Sequence, residues 1–134
     1  MDGLVTGRTR NFLAMAQAAA GNSTYRFRLG AVVVSGGRVR GVGWSKSKNR
    51  PGSVSDVHLK RCSVHAEADA LRGLDPLRRA TCYVARIDAR NEPVLARPCA
   101  DCFAALSAAG VTRVFWTIDD EGTGSAKVEG ASVG

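Results

Sequence analysis

The order of elements that the sequence predicts, helix–strand–strand–helix–strand–helix–strand, implies an α/β fold with helices packed on the faces of one sheet. Three observations carry this. Two strand-like runs flank Gly36-Gly37, Ala-rich segments of helical length precede and follow strand-like ones, and no repeat or linker divides the chain. At 134 residues and 14.1 kDa the chain fits one domain, 1–134, with no room for two ordinary ones.

The elements follow in order. Residues 9–20 (TRNFLAMAQAAA) read as a helix whose apolar side is Phe12, Leu13, Met15 and Ala16, with Thr9 or Thr6 as cap and Gly21-Asn22-Ser23 as its end. Residues 26–35 (RFRLGAVVVS) and 38–44 (RVRGVGW) read as a hairpin around Gly36-Gly37; the first strand ends in a continuous apolar run that suggests burial on both faces. Residues 45–63 form a long polar connection carrying Lys46, Lys48, Arg50, Lys60 and Arg61. A helix at 64–73 closes on Gly73, a strand follows at 80–88, and a helix at 99–110 starts after Pro98 and ends at Gly110. Residues 111–118 (VTRVFWTI) read as an apolar strand, so the unit 80–118 should pair in parallel through a right-handed crossover. Residues 119–134 read as a Gly-rich, weakly structured tail in which Ala126-Lys127-Val128 could add a short edge strand.

Composition narrows the class. With 45% apolar and 23% charged residues the chain is globular, not disordered. Its apolar runs, such as Ala31–Val34, are far too short for a membrane span, and Met1-Asp2-Gly3-Leu4 lacks the pattern of a secretory signal, so a cytoplasmic protein is expected. The net charge of +7 is uneven: residues 1–65 carry 11 basic and 2 acidic side chains, residues 66–134 carry 8 and 10. A basic first half suits a phosphate-bearing partner; a compositional bias toward Arg, which supplies 15 of the 19 basic residues, accounts for it equally well.

Chemistry concentrates in two segments, Val64-His65-Ala66-Glu67 and Pro98-Cys99-Ala100-Asp101-Cys102, each at the start of a predicted helix. Residues three apart share a helix face, so Cys99 and Cys102 can reach one metal ion, near a helix N-terminus that favours thiolates. His65 supplies a third ligand from the facing helix. One imidazole and two thiolates leave the fourth position of a tetrahedral zinc to water, the pattern of a catalytic site. Glu67, two residues past His65, is then placed to take a proton from that water and return it to a ring nitrogen and a departing amine. These roles describe hydrolytic deamination of an amino-substituted base.

His-x-Glu followed by Pro-Cys-x-x-Cys is the signature of zinc-dependent nucleobase deaminases. The chain resembles the cytidine/deoxycytidylate deaminase superfamily over most of its length. Leu29-Gly30-Ala31-Val32-Val33-Val34 with Gly36-Gly37-Arg38-Val39 looks like that family's first hairpin, and Gly110-Val111-Thr112-Arg113-Val114 like the strand after its cysteine helix. The resemblance implies a three-layer α-β-α sandwich with a mixed, mostly five-stranded sheet. It also implies that Gly30 and Ala31 line the base pocket. His as first ligand resembles the deoxycytidylate, tRNA-adenosine and polynucleotide branch. Where that branch often has a sugar-contacting Asn, this chain has Ser45 at the nearest position and Asn49 four residues on.

Other readings remain open. A thioredoxin-like dithiol would use Cys99 and Cys102 but leave His65 and Glu67 without a task. A structural zinc closed by Cys62 or His58 would make a non-catalytic zinc or nucleic-acid-binding module. Cys82 reads as a small buried apolar residue. Trp44 stacks on a base or simply packs, with packing favoured, and Phe115 and Trp116 read as core. Lys46 and Lys48, with Arg50, Lys60 and Arg61, contact a phosphate or form a solvated loop. The expected function is a zinc-dependent hydrolytic deaminase of a cytosine nucleotide or nucleoside, with deoxycytidylate favoured. The alternative is one acting on single-stranded DNA or RNA. Zn²⁺ is the expected cofactor, a membrane partner is not expected, and an open sheet edge suggests a homo-oligomer.

Overall fold

A computed structural model describes residues 7–47, 63–119 and 122–128. The chain runs through α1 (Gly7–Ala20), β1 (Arg28–Ser35), β2 (Arg38–Trp44), β3 (Lys46–Ser47), β4 (Ser63–Val64), α2 (Ala66–Leu71), β5 (Ala80–Ile87), β6 (Pro93–Val94), α3 (Ala100–Ala108), β7 (Val111–Thr117) and β8 (Thr123–Lys127). Each long element that the sequence predicts is present within a few residues of its expected ends. Among the described residues the strands build a mixed sheet of order β2-β1-β5-β7-β8, with β6 paired to the end of β5, and a separate β3–β4 ribbon. All neighbours are antiparallel except β5 and β7, the pair joined through α3. The α/β sandwich with five principal strands expected from the resemblance is the observed fold.

The hairpin turn forms because both central residues take positive φ, 61° at Gly36 and 76° at Gly37, which matches a type I′ turn and which only glycine adopts without strain. Alternation then divides the core into two layers. Ala31 and Val33 of β1 with Cys82 and Val84 of β5 join Ala66, Ala70 and Leu106 on the face of α2 and α3. Val32 and Val34 with Tyr83, Ala85 and Phe115 join Leu13 and Ala16 of α1 on the other. Tyr83 stacks on Phe115 at 5.4 Å and meets Phe12 at 5.1 Å between ring centroids, an arrangement that adds to simple area burial. Trp116 and Phe115 are core, and Cys82 is fully buried.

Three expectations change. The buried stripe of α1 is Thr9, Leu13, Ala16, Ala19 and Ala20, spaced three or four apart, so Met15 falls outside it and is 40% exposed. Thr9 lies inside the helix instead of capping it. Residues 122–128, read as part of a weakly structured tail, are tied down: β8 pairs with β7 from Arg113↔Lys127 to Thr117↔Thr123, and Val128 joins the core. The ladder to an already buried strand gives this polar segment partners that its composition does not advertise. Among the described residues no helix is long and apolar enough to cross a membrane.

Two close approaches set the helix positions. A Cβ at Gly30 would run into the backbone of Ala16 and Ala20 on α1, while Cβ atoms at Gly41 and Gly43 would run into Ala70 and Ala66 on α2. Glycine in the sheet therefore lets each helix lie directly on the strand backbone.

Candidate active site

The sheet presents α2 and α3 side by side on one face, and the catalytic candidates sit at their N-termini. His65 and Cys99 occupy the N-cap positions of α2 and α3, both with extended backbone and neither using its side chain as a cap, so both side chains are free to point forward. Cys102 lies in the first turn of α3, buried, one turn past Cys99. The ligand atoms of His65, Cys99 and Cys102 all lie within 4.8 Å of one another, and His65 Nδ1 is 3.0 Å from Cys102 Sγ. Three donors on one tetrahedral zinc, at bond lengths of about 2.0 to 2.3 Å, stand roughly 3.5 Å apart, so small side-chain rotations suffice to bring this set together.

Glu67, in the first turn of α2, is 3% exposed. Burial pushes its carboxyl above the usual carboxylate range, while its own backbone N–H, the His65 imidazole and the Cys102 thiol pull it down. Cys102 is pushed up in turn, first by burial and next by the Glu67 charge. The Glu67 carboxylate thus opposes ionisation of the Cys102 thiol, while that thiol favours the carboxylate. A divalent cation reverses that balance by supplying the missing positive charge. Donor types, spacing and local charge all fit a zinc ion. Cys82, wholly buried, has its thiol pushed up by burial and then by the Glu67 charge.

The substrate-side candidates divide. Ala31 is fully buried on the face of α2. Gly30 turns its side-chain position onto α1, on the opposite face. Trp44 pairs with Gly30 and so shares that opposite face. Its ring lies under the Lys46 ammonium, 4.9 Å from the centroid.

Ser45, expected near a sugar, is 3% exposed and spends its hydroxyl on the chain itself. Its Oγ donates to Phe27 O at 2.6 Å and accepts from Leu29 N at 3.0 Å, with Ser23 Oγ at 2.9 Å. Lys46, expected at a phosphate, instead meets the Asp69 carboxylate at 3.1 Å. Lys48 and Asn49 lie outside the described residues, as do Cys62, His58, Arg50, Lys60 and Arg61.

Sequence reasoning passed over Asp69. Its side chain, 7% exposed, accepts the Trp44 N–H at 3.1 Å, pairs with Lys46 and lies 3.7 Å from Arg72. It pins the end of β2 to the helix that carries His65 and Glu67. The signal was there: a carboxylate one turn after His65, facing a basic segment.

Comparison with known proteins agrees with this geometry. Residues 7–118 match the family described as cytidine and deoxycytidylate deaminase zinc-binding region. A deoxycytidylate deaminase of Mycobacterium phage D29 is 35% identical over 125 residues, covering 78% of this chain and 90% of that one. The crystal structure of dCMP deaminase from cyanophage S-TIM5 superposes with a TM-score of 0.57 at 20% identity, over 87% of this chain and 84% of that one. Cytidine deaminase from Burkholderia pseudomallei superposes with a TM-score of 0.65 at 18% identity, over 92% and 94%. At these identities the two structures speak to the fold alone.

Proposed function

Because the chain belongs to the cytidine and deoxycytidylate deaminase family, a family of hydrolytic deaminases, we propose that it converts a cytosine nucleotide, deoxycytidylate first, to its uracil form with release of ammonia. The observation that carries this reading is the Glu67 carboxyl, buried in the first turn of α2 beside the Cys102 thiol, next to a cluster in which the donor atoms of His65, Cys99 and Cys102 lie within 4.8 Å of one another. His65, Cys99 and Cys102 hold zinc, which supplies the Lewis acidity that makes water a nucleophile at neutral pH.

Glu67 does the proton work. As carboxylate it accepts a proton from the attacking water; as acid it passes that proton to the ring nitrogen beside the reacting carbon. It then takes the second proton from the hydroxyl now on the reacting carbon and delivers it to the amino group as the carbon–nitrogen bond breaks, the carbonyl forms and ammonia leaves. Burial suits this double duty, because it lifts the carboxyl toward neutrality, where a group gives and takes protons with similar ease. Deoxycytidylate is favoured by the phage relative, whose match spans most of both chains.

The test is a mass-spectrometric assay of the zinc-loaded protein on deoxycytidylate, cytidylate, deoxycytidine, cytidine and a cytosine-rich single-stranded oligonucleotide. We expect turnover of deoxycytidylate, lowered about 10²- to 10⁴-fold in Glu67→Gln with zinc content unchanged. Turnover of the oligonucleotide alone, or full activity in Glu67→Gln, would overturn the proposal.

A further inference from the structure

A cleft of about 490 Å³, within the range of small-molecule sites, opens at the end of the sheet where β1 begins and β5 ends. Its walls include Arg26, Phe27, Arg28, Arg86, Asp88 and Leu95. Alternation places Arg86 on the face of Cys82 and Val84, the face that carries α2 and α3. Leu95 precedes Cys99 by four residues, so part of the cleft wall and the first cysteine belong to one short stretch of chain.

The charge of this cleft is unbalanced. Three guanidinium groups face one carboxylate. Asp88 is occupied by its own turn, accepting the N–H groups of Arg90 at 2.8 Å and Glu92 at 3.0 Å. Among the described residues, Arg28 is held by neutral oxygens: Asn91 Oδ1 at 2.9 Å, Asp88 O at 3.4 Å and Gly21 O at 3.5 Å. The guanidinium carbons of Arg26 and Arg86 stand 5.7 and 5.1 Å from the centroid of the Phe27 ring. A guanidinium set over a ring face donates from its edges, so the ring orients both groups without using their N–H donors. The ion pairs of Lys46 and Arg72 with Asp69 involve no residue of the cleft lining. The cation first expected to serve the substrate, Lys46, is already paired.

We propose that this arginine-lined cleft is the phosphate subsite, and that Arg26 and Arg86 bind the phosphate of the nucleotide substrate and set the preference for nucleotide over nucleoside. Arg28, fixed by three carbonyl and amide oxygens, adds positive potential as an immobile wall. The inference rests on the deaminase reading for the identity of the ligand, and it can fail independently of it.

Calorimetric binding of the product pair, deoxyuridylate and deoxyuridine, to the zinc-loaded protein separates the two, alongside kcat/KM for deoxycytidylate and deoxycytidine. Arg26→Gln and Arg86→Gln should each weaken deoxyuridylate about tenfold or more, the worth of a lost charge-assisted hydrogen-bond pair, and leave deoxyuridine unchanged. Arg86→Lys should recover part of the loss. Arg10→Gln, an exposed charge on α1, is the control for net charge and should change neither ligand. The subsite is refuted by deoxyuridylate affinity that survives both Gln variants, by equal weakening of both ligands, or by no deoxyuridylate binding to the parent protein. Arginine-dependent deoxyuridylate binding without any turnover would sink the deaminase reading and leave the subsite standing. Equal turnover of nucleotide and nucleoside, unmoved by the variants, would do the opposite.

Discussion

Ser45→Ala distinguishes a residue that touches substrate from one that holds the fold. In the structure the hydroxyl donates to Phe27 O, accepts from Leu29 N and sits against Ser23 Oγ, all at 2.6 to 3.0 Å and with the side chain 3% exposed. Removing it takes the hydroxyl partner from the Leu29 N–H and the Phe27 carbonyl, both in part-buried hydrogen bonds. An unsatisfied buried group costs about 1–3 kcal/mol, and two partners share one hydroxyl here, so about 2 kcal/mol is expected. For 134 residues an unfolding entropy of about 2.1 cal/mol/K per residue turns this into a fall in Tm of about 7 °C. The assay is thermal unfolding of the zinc-loaded protein, paired with KM for deoxycytidylate at a temperature where both proteins are folded. A Ser45→Ala protein with unchanged Tm and a raised KM would refute the structural assignment and restore a substrate contact.

The remaining predictions concern the metal, the helix seat and the core. Cys99→Ser and Cys102→Ser together should abolish zinc binding, read by metal analysis, and a chelator should lower the Tm of the parent but not of this variant. Gly43→Ala places a methyl 2.7 Å from Ala66 O and from Asp69 C, backbone that moves only with the whole helix. It should cost about 1–3 kcal/mol by overpacking and reduce kcat by displacing His65 and Glu67, read by denaturant unfolding and turnover. Burial raises the Tyr83 hydroxyl above its ordinary value of 10.0, with Arg8 opposing and Cys82 adding. A raised folded-state value means stability that is complete below pH 10 and lost as pH rises through the folded-state pKa. Tyr83→Phe should therefore lose less stability than the parent between pH 9 and 11, measured by urea unfolding.

The chemistry was legible because it is written in residue types at short spacings. His65 and Glu67 are two apart and Cys99 and Cys102 three apart, and helix starts bring such neighbours onto one side whatever the rest of the chain does. The hairpin was equally legible, because Gly36-Gly37 admits few turns, and so were the alternating strands and the Ala-rich helices that define the sheet and its cover. What surrounds the site was not. Ser45 looks like any polar loop residue until Phe27 and Leu29, on another strand, bring their backbone groups to its hydroxyl. Lys46 looks like a free cation until Asp69 arrives from α2, 23 residues away.

The tail's strand depends on an open ladder edge on β7 that its own Gly-rich composition cannot reveal. Arg26, Arg28 and Arg86 become one cleft only when β1 and β5 pair, from Arg28↔Ile87 onward. Motif and periodicity thus determined the fold class and singled out the candidate metal donors and the candidate proton carrier, since these rest on local geometry. Tertiary structure alone decided which polar groups are spent on the fold and which stay free for a ligand, because hydrogen bonds and charges are neutralised by partners distant in the chain.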